Sequence, residues 1–94
     1  ADIYYIPKDF SLHPAYPNPF NPITNVDFEV PFNDNIKLSI YDIRGREIDV
    51  LYHGNINAGY HQMLWNAEQF SSGVYFVALV SLSHRSTHKI ILLK

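Results

Sequence analysis

No stretch of about 12 residues in this chain places apolar side chains at the i, i+3, i+4, i+7 spacing of a helix. Turn-forming residues instead break it up roughly every 8–12 residues, with alternating segments between them. That rhythm confines the chain to antiparallel strands joined by short turns. The nearest approach to a helix, 66–72, is too short and too polar to be more than a turn. The chain has 94 residues, enough for one domain and too few for two. The expected fold is all-β: an Ig-like antiparallel β-sandwich of about seven strands.

The clearest strand is 24–30, with Val26, Phe28 and Val30 inward and Asn25, Asp27 and Glu29 in water. Residues 31–35 carry turn chemistry, and 36–41 alternate again with Ile36, Leu38 and Ile40 inward. Asp42 and Gly45 stand at the first and fourth positions of a type I turn, with positive φ and a bulge expected at Gly45. A strand follows over 46–52, then a looser connection over 53–58. Strand 60–66 puts His61, Met63 and Trp65 on one face, and Trp65 reads as a plug between the sheets. Residues 66–72 cross between sheets. Strand 74–80 is almost wholly apolar and therefore central. A last strand spans about 87–93, preceded by a short one at 10–12.

The segment His13-Pro14-Ala15-Tyr16-Pro17-Asn18-Pro19-Phe20-Asn21-Pro22 is stiff, because every residue before a proline is pushed toward extended conformations. It reads as a strap unable to join a ladder, with Tyr16 and Phe20 plugging one end of the sandwich. A peptide-docking motif is the sharper alternative. Residues 1–9 read as a linker or the end of an upstream domain. Within them Ile3-Tyr4-Tyr5-Ile6 also fits an added edge strand. The domain proper is expected over 10–94.

Composition removes several function classes. Hydrophobic residues at 47% and charged residues at 17% exclude a disordered chain. A net charge of -2 provides no bulk attraction to nucleic acid. No cysteine is present, so a disulfide, a zinc-thiolate site and a Cys nucleophile are all excluded. The longest apolar run, 74–80, falls far short of the roughly 20 residues of a spanning helix. No cationic leader is seen at the start, and the chain, opening on Ala1, reads as a mature fragment or an excised domain.

The five histidines, His13, His53, His61, His84 and His88, do not show metal-ligand spacing on a shared element. There is no Gly-x-Ser-x-Gly elbow. Asp34 with its flanking asparagines is ordinary turn chemistry, and Arg44 and Arg46 are too few for a nucleic-acid patch. No catalytic, metal or cofactor residues are expected, and the chain does not read as an enzyme.

Three signatures stand in order: Tyr16-Pro17-Asn18-Pro19-Phe20-Asn21-Pro22, Ile40-Tyr41-Asp42-Ile43-Arg44-Gly45-Arg46-Glu47, and Ser72-Gly73-Val74-Tyr75-Phe76. Ala58-Gly59-Tyr60-His61 and Trp65 lie between them, and Lys89-Ile90-Ile91-Leu92-Leu93-Lys94 closes the chain. Over about residues 10–94 this resembles the type A C-terminal sorting domain of the type IX secretion system, a pattern shared with the Ig-like module of flagellar hook-capping proteins. Two departures are Trp65-Asn66-Ala67, where the family usually has Trp-Asp-Gly, and Ala78, where a basic residue is common.

The resemblance implies a non-catalytic signal, read at the outer membrane after an upstream cargo domain reaches the periplasm. The cargo is then released or attached at the cell surface. The implied partners are the outer-membrane type IX machinery, its sortase-like peptidase and the cargo itself. Gly45, Gly73, Tyr75, Lys89 and Lys94 carry over as recognition or fold signatures. The last strand, read as apolar on both faces with a free edge, is expected to offer that edge to the machinery and to favour a weak homodimer. The rival readings are a carbohydrate-binding module, with Tyr4, Tyr5, Tyr41, Tyr52 and Tyr60 as candidate stacking rings, and a passive spacer.

Overall fold

Alternating segments become strands where a neighbour exists to complete their hydrogen bonds. The computed structural model describes residues 6–94 and contains seven strands: β1 (Ser11–Leu12), β2 (Ile23–Val30), β3 (Asp34–Tyr41), β4 (Glu47–Ile56), β5 (Gly59–Asn66), β6 (Gly73–Val80) and β7 (Arg85–Leu92). No helix occurs among the described residues, and so none long and apolar enough to cross a membrane. Of the Ile3-Tyr4-Tyr5-Ile6 segment only Ile6 is described; it is exposed and outside any strand.

All ladders are antiparallel and fall into two sheets, β1-β2-β5 and β4-β3-β6-β7. The sandwich expected from the sequence is present. β4 pairs with β3 and not with β5, so the sheets divide three against four, a choice that alternation cannot encode. The inward sets meet between the sheets: Val26, Phe28 and Val30 from β2, Ile36, Leu38 and Ile40 from β3, Val77 and Leu79 from β6, and Ile90 and Leu92 from β7. β6 lies inside its sheet between β3 and β7, as its apolarity predicts.

Three expectations are corrected. β3 begins at Asp34 and β4 continues to Ile56, because Asp34–Ile56 through Lys37–His53 complete one another's pairing where the sequence suggested a turn and a looser connection. The connection is thereby reduced to Asn57-Ala58, whose Ala58 N–H donates to the Asn33 side-chain oxygen at 2.8 Å. Asp27 and Glu29 are not merely solvated. Asp27 is buried, and Glu29 is paired with His13 at 2.6 Å. Finally, β7 is apolar on both faces only at Ile90, Ile91 and Leu92; its other outward residues are Arg85, Thr87 and Lys89.

Candidate functional site

Antiparallel register brings distant signatures to one end of the sandwich. β3 ends beside the start of β6, with Tyr41 opposite Phe76, and β7 ends beside it, with Leu92 opposite Gly73. The β3–β4 hairpin tip, the crossover 67–72, the strap and the last residues therefore cluster there. Their common floor is aromatic. Trp65 is 1% exposed and its ring lies 5.5 Å from Phe20, 5.6 Å from Phe70 and 5.5 Å from Tyr75. An indole buried this way needs a partner for its N–H, and Asp49 Oδ2 accepts it at 2.9 Å. The expected plug is in place.

At the hairpin tip Gly45 N–H donates to the Asp42 carbonyl at 3.0 Å, closing the turn. Asp42 Oδ1 accepts from Arg44 N–H and Arg46 N–H, and Oδ2 accepts from Arg46 Nε at 2.8 Å. Partial burial would raise the Asp42 pKa, but these donors outweigh it and hold the carboxyl below the usual aspartate value. Gly45 has φ of +80°, which a β-branched residue cannot take without strain. Nothing lies within 4 Å of an added Cβ. The cost of Gly45→Val is thus backbone strain alone, about 1–3 kcal/mol. A Gly45→Val chain whose melting matches the parent would remove this argument.

The strap does more than plug. Phe20 N–H donates to Ile91 O at 2.9 Å and Leu93 N–H donates to Phe20 O at 3.0 Å, a parallel bridge to β7. Asn18 supplies a backbone-like amide from its side chain, donating to Lys89 O and accepting from Ile91 N–H. A His88 ring N–H donates to Leu12 O at 2.7 Å. The β7 edge is therefore closed from Lys89 to Leu93. Over that half of the strand it is not the free template expected from the sequence for the machinery or for a homodimer. The prolines cannot donate, but Phe20 between them can, and one such residue suffices. Phe20 is buried as expected, whereas Tyr16 is 48% exposed and plugs nothing.

Tyr16 belongs instead to a polar cluster on the outer face of the three-stranded sheet. Its hydroxyl donates to Asp27 Oδ2 at 2.9 Å, the Tyr60 hydroxyl donates to the same oxygen at 2.7 Å, and Gln62 donates to Oδ1 at 2.9 Å. Burial pushes the Asp27 pKa up, but the three donors outweigh it and hold the carboxyl low. The reciprocal effect falls on both phenols: the bond to Asp27, then burial, raise the Tyr16 hydroxyl, and the same bond, then burial, then the carboxylate's charge push the Tyr60 hydroxyl up to about 12. A raised folded-state pKa stabilises below the unfolded value near 10, and that contribution is lost as pH rises through 12. In a 295 nm titration one phenol should ionise near pH 12, and Asp27→Asn should return it toward 10. Unchanged titration in the variant would contradict the assignment. The sequence hid this cluster because Asp27 sits in a polar phase of alternation, and it is covered only once Tyr16 of the strap meets Tyr60 and Gln62 of β5 over it.

The ordered signatures thus share one end of one sandwich, and the family model described as the secretion system C-terminal sorting domain matches residues 14–93. The chain belongs to this family. Domains of this kind act as C-terminal sorting signals for type IX secretion, which exports the proteins bearing them to the cell surface or beyond. No curated protein matches the chain.

Within the sorting domain the carried-over residues occupy different settings. Gly45 is at the hairpin tip and Gly73 opens β6 at the same end. Tyr75 is 7% exposed, edge-on to Trp65, and donates its hydroxyl to Ser71 O at 2.6 Å, so its contacts are with the core and the crossover. Lys89 points outward from β7. Lys94 is tied down: its N–H donates to Ser72 Oγ at 2.9 Å and its Nζ donates to Glu68 O. The two departures from the family pattern are accommodated. Asn66 Oδ1 accepts from Glu68 N–H at 3.0 Å, and Ala67 is fully buried with its N–H on Pro22 O. Ala78 lies under the outer face of the four-stranded sheet.

Proposed function

We propose that this sorting domain is read as a folded surface by the outer-membrane type IX machinery, carrying an upstream cargo out of the periplasm, and that a sortase-like peptidase then releases or attaches the cargo. Residues 10–94 form the module and 1–9 lead into it. The observation that carries the reading is the convergence of the hairpin tip, the crossover and the last residues at the end opposite Phe10. That arrangement leaves them clear of whatever precedes the module. Gly45 and Gly73 shape the end, Tyr75 supports it from within, and Lys89 and Lys94 offer charge beside it.

A carbohydrate-binding module needs a row of exposed rings. Tyr60 lies on the outer face of the three-stranded sheet, Tyr41 on the outer face of the other, and Tyr52 packs against the core. Those three make no row, and Tyr4 and Tyr5 lie outside the described residues.

The test fuses residues 1–94 to a periplasmic reporter in a type IX-competent host. The reporter should appear outside the cell. Lys94→Ala should lower export while melting stays close to the parent's, because the backbone bond to Ser72 survives the change. A folded fusion that stays in the periplasm would leave only the spacer reading.

A further inference from the structure

β6 is apolar on both faces, yet the sandwich covers only one of them. Tyr75, Val77 and Leu79 face the core, while Val74, Phe76, Ala78 and Val80 face outward. Strands of this composition are ordinarily buried on both sides. Register sets Ser39 of β3 and Thr87 of β7 on either side of Ala78, and Tyr41 and Lys89 on either side of Phe76. Ser39 and Ala78 are each 1% exposed although they face outward, so they form the floor of a recess between taller neighbours. That recess has a volume of about 260 Å³ and is lined by Tyr41, Ile43, Gly45, Phe76, Ala78 and Arg85 among others. Ile43, at 73% exposure, stands over one side of it.

The charges on this face are one-sided. Lys37 is neutralised by Glu47 at 2.6 Å and Asp42 by Arg46 at 2.8 Å. Arg85 and Lys89 have no carboxylate partner among the described residues. A second copy laid face to face would add two more unpaired cations to the same area, and like charges in an interface are strongly disfavoured. A flat layer of headgroups would not fill a recess of side-chain size. We infer that the outer face of the four-stranded sheet docks an acidic protein surface that inserts an apolar side chain over Ala78 and places carboxylates against Arg85 and Lys89.

This rests on the sorting reading and names the chemistry of the partner within the export machinery. The test uses the reporter fusion with three variants: Arg85→Glu combined with Lys89→Glu, Ala78→Leu to fill the recess, and Arg85→Lys as the conservative control. All three change outward-facing groups, and matching melting curves establish that folding is intact. The first two should cut export roughly tenfold or more, the range over which interface charges act, and the control should retain most of it. Parent-like export from the folded charge-reversed and recess-filled variants overturns the inference while leaving the sorting reading standing. If the parent fusion is itself not exported, both fall. If the chain binds lipopolysaccharide micelles, and the charge reversal abolishes that binding in step with export, the occupant is an anionic glycolipid and the acidic-protein assignment is wrong.

Discussion

Trp65→Ala should lower the unfolding free energy by about 3–5 kcal/mol, the range for emptying a large aromatic site in a packed core. Three rings, Phe20, Phe70 and Tyr75, lean on the indole from three elements that share no ladder with β5, so no single shift can refill the space. The variant also strands the Asp49 carboxylate without its indole donor. Urea unfolding of parent and variant measures the difference. A loss under about 1 kcal/mol would mean that the site collapses freely, and an indole emission typical of full solvation in the parent would remove the plug altogether.

Phe20→Ala should cost about 3–5 kcal/mol as well, by the same cavity argument. Its ring is 2% exposed, and its backbone makes both bonds of the bridge to β7. Without the ring the strap loses its anchor, and Leu93, whose N–H donates to Phe20 O, should lose amide protection beyond the global destabilisation. Phe28→Ala serves as a control: Phe28 is equally buried but lies in β2, away from that bridge. If Leu93 exchanges no faster in Phe20→Ala than in an equally destabilised Phe28→Ala, the strap is not the latch. The double variant Trp65→Ala/Phe20→Ala should cost less than the sum of the two, since both empty one shared space.

Legibility followed the physics of each signal. Short-range signals carried furthest. The period-2 alternation in β2 and β3 and the Asp42–Gly45 turn were read correctly because each depends on residues within a few positions of one another. Strand ends were read less well. Asp34 and Asn35 look like turn residues, but they become strand because His53, Gly54, Asn55 and Ile56 stand ready to pair with this stretch. The candidate signatures were visible one at a time. That Gly45, Gly73 and Lys94 gather at one end, while Tyr75 faces the core, depends on which strand lies beside which.

The amino-acid sequence alone determined that this chain is a sandwich of about seven antiparallel strands with Trp65 inside, and its ordered motifs pointed to the sorting family. Those properties are set by local alternation, turn chemistry and side-chain type, all of which act within a strand or a hairpin. Only the tertiary structure decided that β4 joins the four-stranded sheet, that the strap closes the β7 edge through Asn18 and Phe20, and that Asp27 is buried under two tyrosines. The separations differ: β4 joins through its hairpin with β3, Tyr16 reaches Asp27 across 11 positions, and Asn18 reaches Ile91 across 73. Their pairing is settled by which edges and polar groups are left unsatisfied once the core has formed. That remainder is a property of the assembled sheets, and no segment carries it by itself.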